Sequence, residues 1–112
     1  MYTHEIEDGI CIVNPGAALT LDAPSQFKAF VMELLQDSPC DGLIVTLADL
    51  NRIDSFGIGV IVGLYKTATE RSLSFAVTDA NASHRRLFAS TGIDQAIDFF
   101  DSAGDALSSF RG

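Results

Sequence analysis

The sequence reads as an α/β fold, a mixed and mostly parallel sheet of about five strands packed against about four helices. Three observations support this. Short apolar runs of strand length alternate with longer stretches of helical periodicity, the pattern of successive βαβ units. The run Leu43-Ile44-Val45-Thr46-Leu47 is almost continuously apolar and lies between turn signals, as suits a central strand covered on both faces. Asp8-Gly9 separates the first two apolar runs and marks a hairpin, which adds one antiparallel pair.

Taken in order, residues 2–6 alternate weakly and residues 10–13 are apolar, so the second strand is expected to be the more buried. Asn14-Pro15-Gly16 breaks the pattern. Asp22 as cap and Pro24 in the first turn then open a helix. Phe27, Phe30, Val31, Leu34 and Leu35 share one of its faces, and Ser38-Pro39 ends it. After the central strand, residues 57–70 read as helix, with Ile58, Ile61, Val62, Tyr65 and Ala68 on one face. Val60 and Leu64 widen that apolar arc, which fits a helix largely buried in the domain. Gly59 and Gly63 fall on one side and are expected to allow close approach to the sheet. Residues 73–78 form the next strand, and Ser83 caps a helix over 84–90 that Gly92 closes. Residues 96–100 form an edge strand, and Asp101-Ser102 cap a last helix with Ala103, Ala106, Leu107 and Phe110 on one face.

A length of 112 residues sets one domain, 1–112, as the expectation. Such a chain buries roughly two thirds of its unfolded surface, enough for a core without staples. The net charge of −8, with seven scattered basic residues, argues against direct nucleic-acid binding and against anionic membranes. No apolar run approaches the ~20 residues of a membrane span, and the N-terminus lacks a basic and apolar leader. A cytoplasmic location is therefore expected. Cys11 and Cys40 have no metal-type spacing; a disulfide and two reduced thiols are both compatible, and the reading favours reduced thiols. His4 and His84 stand apart from other ligand types and read as surface residues, so no metal and no cofactor is expected.

The functional signal lies in Leu50-Asn51-Arg52-Ile53-Asp54-Ser55-Phe56-Gly57-Ile58-Gly59. It follows the carboxyl end of the central strand, where open α/β sheets place their sites. Ser55 falls at the positive end of a helix and is a natural N-cap, where an added phosphate would meet unpaired N–H groups. The plainer alternative is that Asp54 and Ser55 only cap the helix.

This stretch resembles the signature of STAS domains, above all the small bacterial anti-sigma-factor antagonists. Their pattern is an apolar strand, Asp-Leu, a short link to Asp-Ser-(Ser or Thr)-Gly-Leu-Gly, and an apolar helix. Here Asp49-Leu50 and Asp54-Ser55-Phe56-Gly57-Ile58-Gly59 match it, with Phe56 in place of the second hydroxyl residue. The family's Gly-Glu-Leu-Asp segment corresponds to Gly16-Ala17-Ala18-Leu19-Thr20, which lacks the acids but puts Thr20 near the site. Arg86-Leu87-Phe88 and Ser90-Thr91-Gly92-Ile93 extend the similarity to nearly the whole chain. The resemblance implies the STAS fold and a non-enzymatic interaction module. It implies phosphorylation at Ser55 and partner contacts through Asp54, Ser55, Phe56, Gly57 and Ile58, with Arg52 as a neighbour. The implied partners are an anti-sigma factor that is also a serine kinase of histidine-kinase-like ATPase fold, and a metal-dependent PP2C-type phosphatase.

Two other readings compete. The first is a STAS subunit that only docks, in a signalling scaffold or a transporter-associated complex, with Ser55 as a cap and nothing more. The second is a nucleotide-binding domain or enzyme, because Gly57, Gly59 and Gly63 have a GxGxxxG spacing. Those glycines fall within a helix instead of a tight turn after a strand, and Ser55 has no partner histidine at a recognisable spacing, so this reading is set aside.

Overall fold

The computed structural model describes residues 2–22 and 26–111. Strand β1 (Thr3–Glu7) turns through Asp8 and Gly9 into β2 (Ile10–Asn14). Both turn residues have positive φ, 53° and 79°, the left-handed geometry that Asp-Gly accommodates in a tight hairpin. There follow β3 (Ala18–Leu19), α1 (Phe27–Asp37), β4 (Gly42–Thr46), β5 (Arg52–Ile53) and α2 (Ser55–Glu70). The chain then forms β6 (Ser74–Thr78), α3 (Ala82–Thr91), a 3₁₀ turn (Ile93–Gln95), β7 (Asp98–Phe100) and α4 (Ala103–Arg111).

The main sheet runs in the order β1-β2-β4-β6-β7. Only β1 is antiparallel; β2, β4, β6 and β7 are parallel neighbours. The mixed, mostly parallel sheet expected from the sequence is thus observed, with β4 at its centre and β7 at an edge. β3 and β5 form a separate parallel pair. Two residues are too few to show an alternating pattern, and for that reason the sequence reading passed over both strands.

Side-chain alternation along the strands divides the core into two layers. Leu43 and Val45 of β4, with Cys11, Val13, Phe75 and Val77, face α1, α2 and α3. Ile44, with Ile10, Ile12 and Ala76, faces Ala106 and Leu107 of α4. Every residue of β1 is exposed, whereas Ile10 to Val13 of β2 are buried, in the order expected.

Several local expectations are corrected. Asp22 does not cap α1: the helix starts at Phe27, its N-cap position is Gln26, and no side chain of that residue caps it. Instead the Gln26 amide donates to the Tyr2 hydroxyl at 2.7 Å, and the Tyr2 ring packs against Phe27 and Phe30. Pro24 lies outside the described residues. Asn81, not Ser83, caps α3, with its side chain accepting from the His84 amide at 2.8 Å. Gly92 does close α3 in the left-handed conformation, at φ 79°. Ser102 accepts from the Asp105 amide, as expected of the α4 cap.

The cysteines also differ from expectation. Cys11 and Cys40, 29 residues apart, are joined as a disulfide with a Cα–Cα distance of 6.2 Å. Strand pairing accounts for their closeness: Cys11 lies opposite Leu43, three residues beyond Cys40. His84 is not a surface residue but is 6% exposed. It faces inward from the first turn of α3, a placement that an isolated histidine in a polar stretch does not reveal.

Because α1 lacks a capping side chain of its own, burial must hold it in place. Phe27, Val31 and Leu35 are its buried residues. Phe27→Ala is expected to lower stability by about 3–5 kcal/mol. In urea unfolding this appears as a lower midpoint at nearly unchanged slope.

Candidate functional site

The site is built where the small β3–β5 pair meets the start of α2. Asp54 is the N-cap of that helix, with extended backbone, and Ser55 is its first helical residue. The cap therefore lies one residue earlier than the serine expected in that role. One carboxylate oxygen of Asp54 accepts from the Phe56 and Gly57 amides at 3.0 and 3.2 Å. The other accepts from the Leu21 amide at 3.0 Å, on the segment after β3. A single side chain thus caps α2 and ties it to a loop more than thirty residues away. Together these hydrogen bonds hold the Asp54 carboxyl below the usual carboxylate range. The Leu21 amide contributes most; partial burial and the nearby Asp22 act in the opposite direction.

This arrangement revises one expectation about phosphate. Two first-turn amides, those of Phe56 and Gly57, are already occupied by Asp54. A phosphate on Ser55 would not find them free. It would place a second negative charge beside a fixed carboxylate.

Around this anchor the structure brings Thr20 and Arg52 together through Asp22. The buried Thr20 hydroxyl donates to Asp22 at 2.6 Å, and Arg52 reaches the other Asp22 oxygen at 3.4 Å. The Thr20 hydroxyl, then Arg52, lower the Asp22 carboxyl. The Arg52–Asp22 pair is exposed and worth little to stability. Its relevance is to position: Arg52 is engaged with Asp22 and not with Ser55.

The five residues expected to face a partner divide into two groups. Ser55 and Phe56 are exposed, Phe56 at 37%, with Asp54 half-buried between them and the sheet. Gly57 and Ile58 are buried. They are turned inward because α2 lands directly on β3 and β5. A Cβ on Gly57 would collide with the Leu19 carbonyl oxygen and would lie 2.7 Å from Leu19 Cβ and 2.8 Å from Ile53 Cγ1. Gly57 is therefore the glycine of close approach. Gly59 is open and Gly63 meets the Lys28 side chain, so neither has the role expected of it against the sheet. All three lie within α2, which leaves no phosphate-cradling turn among them.

Sequence reading missed Leu21. It is 71% exposed, and its amide is bonded to the same carboxylate that caps Phe56. An isolated leucine between two polar residues carries no periodic signal; only the β3–α2 junction brings it to this surface. Leu21 and Phe56 are exposed apolar residues whose backbone amides share the Asp54 carboxylate, and Phe56 follows Ser55 directly in the chain. Among the described residues there is no cluster of His, Cys, Asp or Glu that could hold a metal, and no helix long and apolar enough to cross a membrane.

The mixed, mostly parallel sheet packed against helices defines an α/β module, with an exposed serine at a capped helix start after the central strand. The chain belongs to the STAS domain family, whose model matches residues 2–106. It is similar to a Thermotoga maritima protein, a candidate anti-sigma factor antagonist solved by crystallography. That structure has a TM-score of 0.91 at 25% identity, over 99% of this chain and 95% of that one. An anti-sigma F factor antagonist of Paenibacillus polymyxa is 28% identical over 88% of this chain and 85% of its own length. The fold is also shared with an anti-sigma factor antagonist of Mycobacterium paratuberculosis, at a TM-score of 0.88 and 20% identity over 100% of this chain and 94% of that one.

Two outcomes test the site's construction. Gly57→Ala should destabilise by about 2 kcal/mol through overpacking against backbone that cannot yield, measured by chemical denaturation. Asp54→Asn should lower the melting temperature at neutral pH. A depressed folded-state pKa contributes stability above the ordinary carboxylate value of about 3.9 and loses it as pH falls through the folded value. The gap between Asp54→Asn and the unaltered protein should therefore close in melts recorded below about pH 4.

Proposed function

We propose that this chain is an anti-sigma-factor antagonist, a non-enzymatic single domain acting in a partner-switching pathway. The observation that carries this reading is the exposed Ser55 at the first position of α2, beside exposed Phe56 and Leu21 and backed by a rigidly held Asp54. In this reading the apolar Leu21–Phe56 surface meets an anti-sigma factor that is also a serine kinase of histidine-kinase-like ATPase fold. Phosphorylation of Ser55 by that kinase ends the complex, and a PP2C-type phosphatase restores it. The location is the cytoplasm, where both enzymes and the sigma factor would act.

The physical case rests on local charge. A phosphate adds about −1.5 to −2 charge. At Ser55 that charge would lie beside the Asp54 carboxylate and next to apolar contact surface, so the bound state would suffer both repulsion and desolvation. The domain would not refold, because the amides that fix α2 are bonded to Asp54 in either state. The relatives named as anti-sigma factor antagonists support the partner class.

The test combines binding with modification. Incubation with the cognate kinase and ATP should add one phosphate at Ser55, read by peptide mass mapping. Ser55→Ala should keep affinity for the anti-sigma factor, and Ser55→Asp should weaken it by about tenfold or more, as expected for a charge desolvated at a contact. An unmodified Ser55 together with full affinity of Ser55→Asp would replace the switch with constitutive docking through Leu21 and Phe56.

A further inference from the structure

Strand β1 is one edge of the main sheet, and β2 covers only one of its sides. The hairpin decides which of its backbone groups are left over. Asp8 and Gly9 alone separate Glu7 from Ile10, and such a two-residue turn closes on a hydrogen-bonded pair. Hydrogen-bonded and non-hydrogen-bonded pairs then alternate along an antiparallel ladder. Thr3, Glu5 and Glu7 therefore bond to β2, and the N–H and C=O groups of His4 and Ile6 point to the open side.

The side chains of His4 and Ile6 lie on the face of the sheet that packs against α1, because their partners are Val13 and Cys11. There the Tyr2 and His4 rings lie 5.5 and 5.8 Å from the Phe30 ring. Ile6 is 48% exposed; among the described residues the other exposed large apolar side chains are Leu21 and Phe56, both of which the Ser55 reading uses. β1 is five residues long, pairs in an unbroken register and carries no proline or lysine, devices that blunt an edge. Its two glutamates alternate to the opposite face from Ile6. β7, at the other edge, has three residues.

We infer that β1 pairs antiparallel with β1 of a second copy of this chain, about a two-fold axis between the two His4 residues. A second copy is the occupant because the strand is complementary to itself in one register. With His4 opposite His4, Thr3 lies opposite Glu5 and Tyr2 opposite Ile6, and two-fold symmetry repeats both pairs. Tyr2 against Ile6 is an aromatic residue against a β-branched one, a favourable cross-strand pair. The other register that pairs five residues sets Glu5 directly against Glu5, and like charges so placed are unfavourable. Contact through one short strand buries less than the ~1,200 Å² of a stable interface, so the dimer is a weak one, with a dissociation constant on the order of 0.1 mM. The charge of −8 on each copy opposes pairing, and salt screens that repulsion. The start of α2 takes no part in the contact, so this inference and the Ser55 reading stand or fall separately.

The test is sedimentation equilibrium of the full chain from about 10 µM to about 1 mM, which should show monomer and dimer exchanging, with less dimer at low ionic strength. Ile6→Lys, at an exposed position, should raise the dissociation constant by about tenfold or more. Ile6→Val should hold it within about twofold, and Leu21→Lys should not change it. In an equal mixture of isotope-labelled and unlabelled chains, filtered NMR should show the Tyr2 ring of one copy near the Ile6 methyl groups of the other. A monomer over the whole range, association that Leu21→Lys abolishes and Ile6→Lys does not, or contacts between His4 and Ile6 of different copies in place of Tyr2 and Ile6 would overturn the proposal.

Discussion

The start of α2 is held against β3 by one carboxylate, and the candidate site depends on that contact. Asp54 accepts from the Leu21, Phe56 and Gly57 amides at once. Two of those bonds cap a helix and the third joins it to a separate loop, so helix, loop and exposed surface are fixed relative to one another. Gly57 makes the contact sterically feasible, because no side chain could occupy the space between α2 and the Leu19 backbone. The β3–β5 pairing supplies the platform, with Leu19 opposite Ile53 and the Asp54 amide donating to the Leu19 carbonyl at 3.3 Å. Asp54 thus uses both its backbone and its side chain to tie the same two segments together.

Much of this was legible in the sequence, and the parts that were not share a physical cause. Strands β2, β4 and β6 carry dense apolar runs because both sheet faces are covered, so their composition alone marks them. Helices α1, α2 and α4 show their buried faces at regular spacing. The signature around Asp54 and Ser55 pointed to the junction where Asp54 caps α2, and Thr20 is joined to Arg52 there through Asp22. What escaped was tertiary. β3 and β5 are held by each other and by α2, not by any pattern of their own. Leu21 becomes part of a surface only through its amide bond to Asp54. Tyr2 serves the start of α1 from across the chain, a function that no local capping rule assigns to a tyrosine. His84 reads as a polar surface residue until α3 is seen to turn it inward.

The inward placement of Gly57 and Ile58 also changes how the family signature is understood here. Its residues do not all form one contact surface. Asp54, Gly57 and Ile58 are structural: they cap, permit and bury. Ser55 and Phe56 are the part that structure leaves outside. Phe56, where the family has a small hydroxyl residue, enlarges the apolar surface next to the serine without disturbing the cap, because only its backbone amide is needed there. A departure in side chain at this position is therefore compatible with an unchanged frame.

Charge must be considered at the same local scale. The chain carries a net charge of −8, and one more phosphate changes that total only modestly. Total charge, however, is not what a docked partner experiences. Exposed charges are largely screened beyond about 8 Å at physiological ionic strength, so the groups nearest Ser55 weigh most on a phosphate there. Asp54 is covalently adjacent to Ser55. Asp22, close enough to Asp54 to raise its pKa, has its charge opposed by Arg52. The charge adjacent to Ser55 is thus a carboxylate whose position is fixed by backbone hydrogen bonds. Fixed charge of this kind cannot swing away to relieve repulsion. On the proposed reading, that rigidity allows one modified hydroxyl to act on a partner without any change of fold.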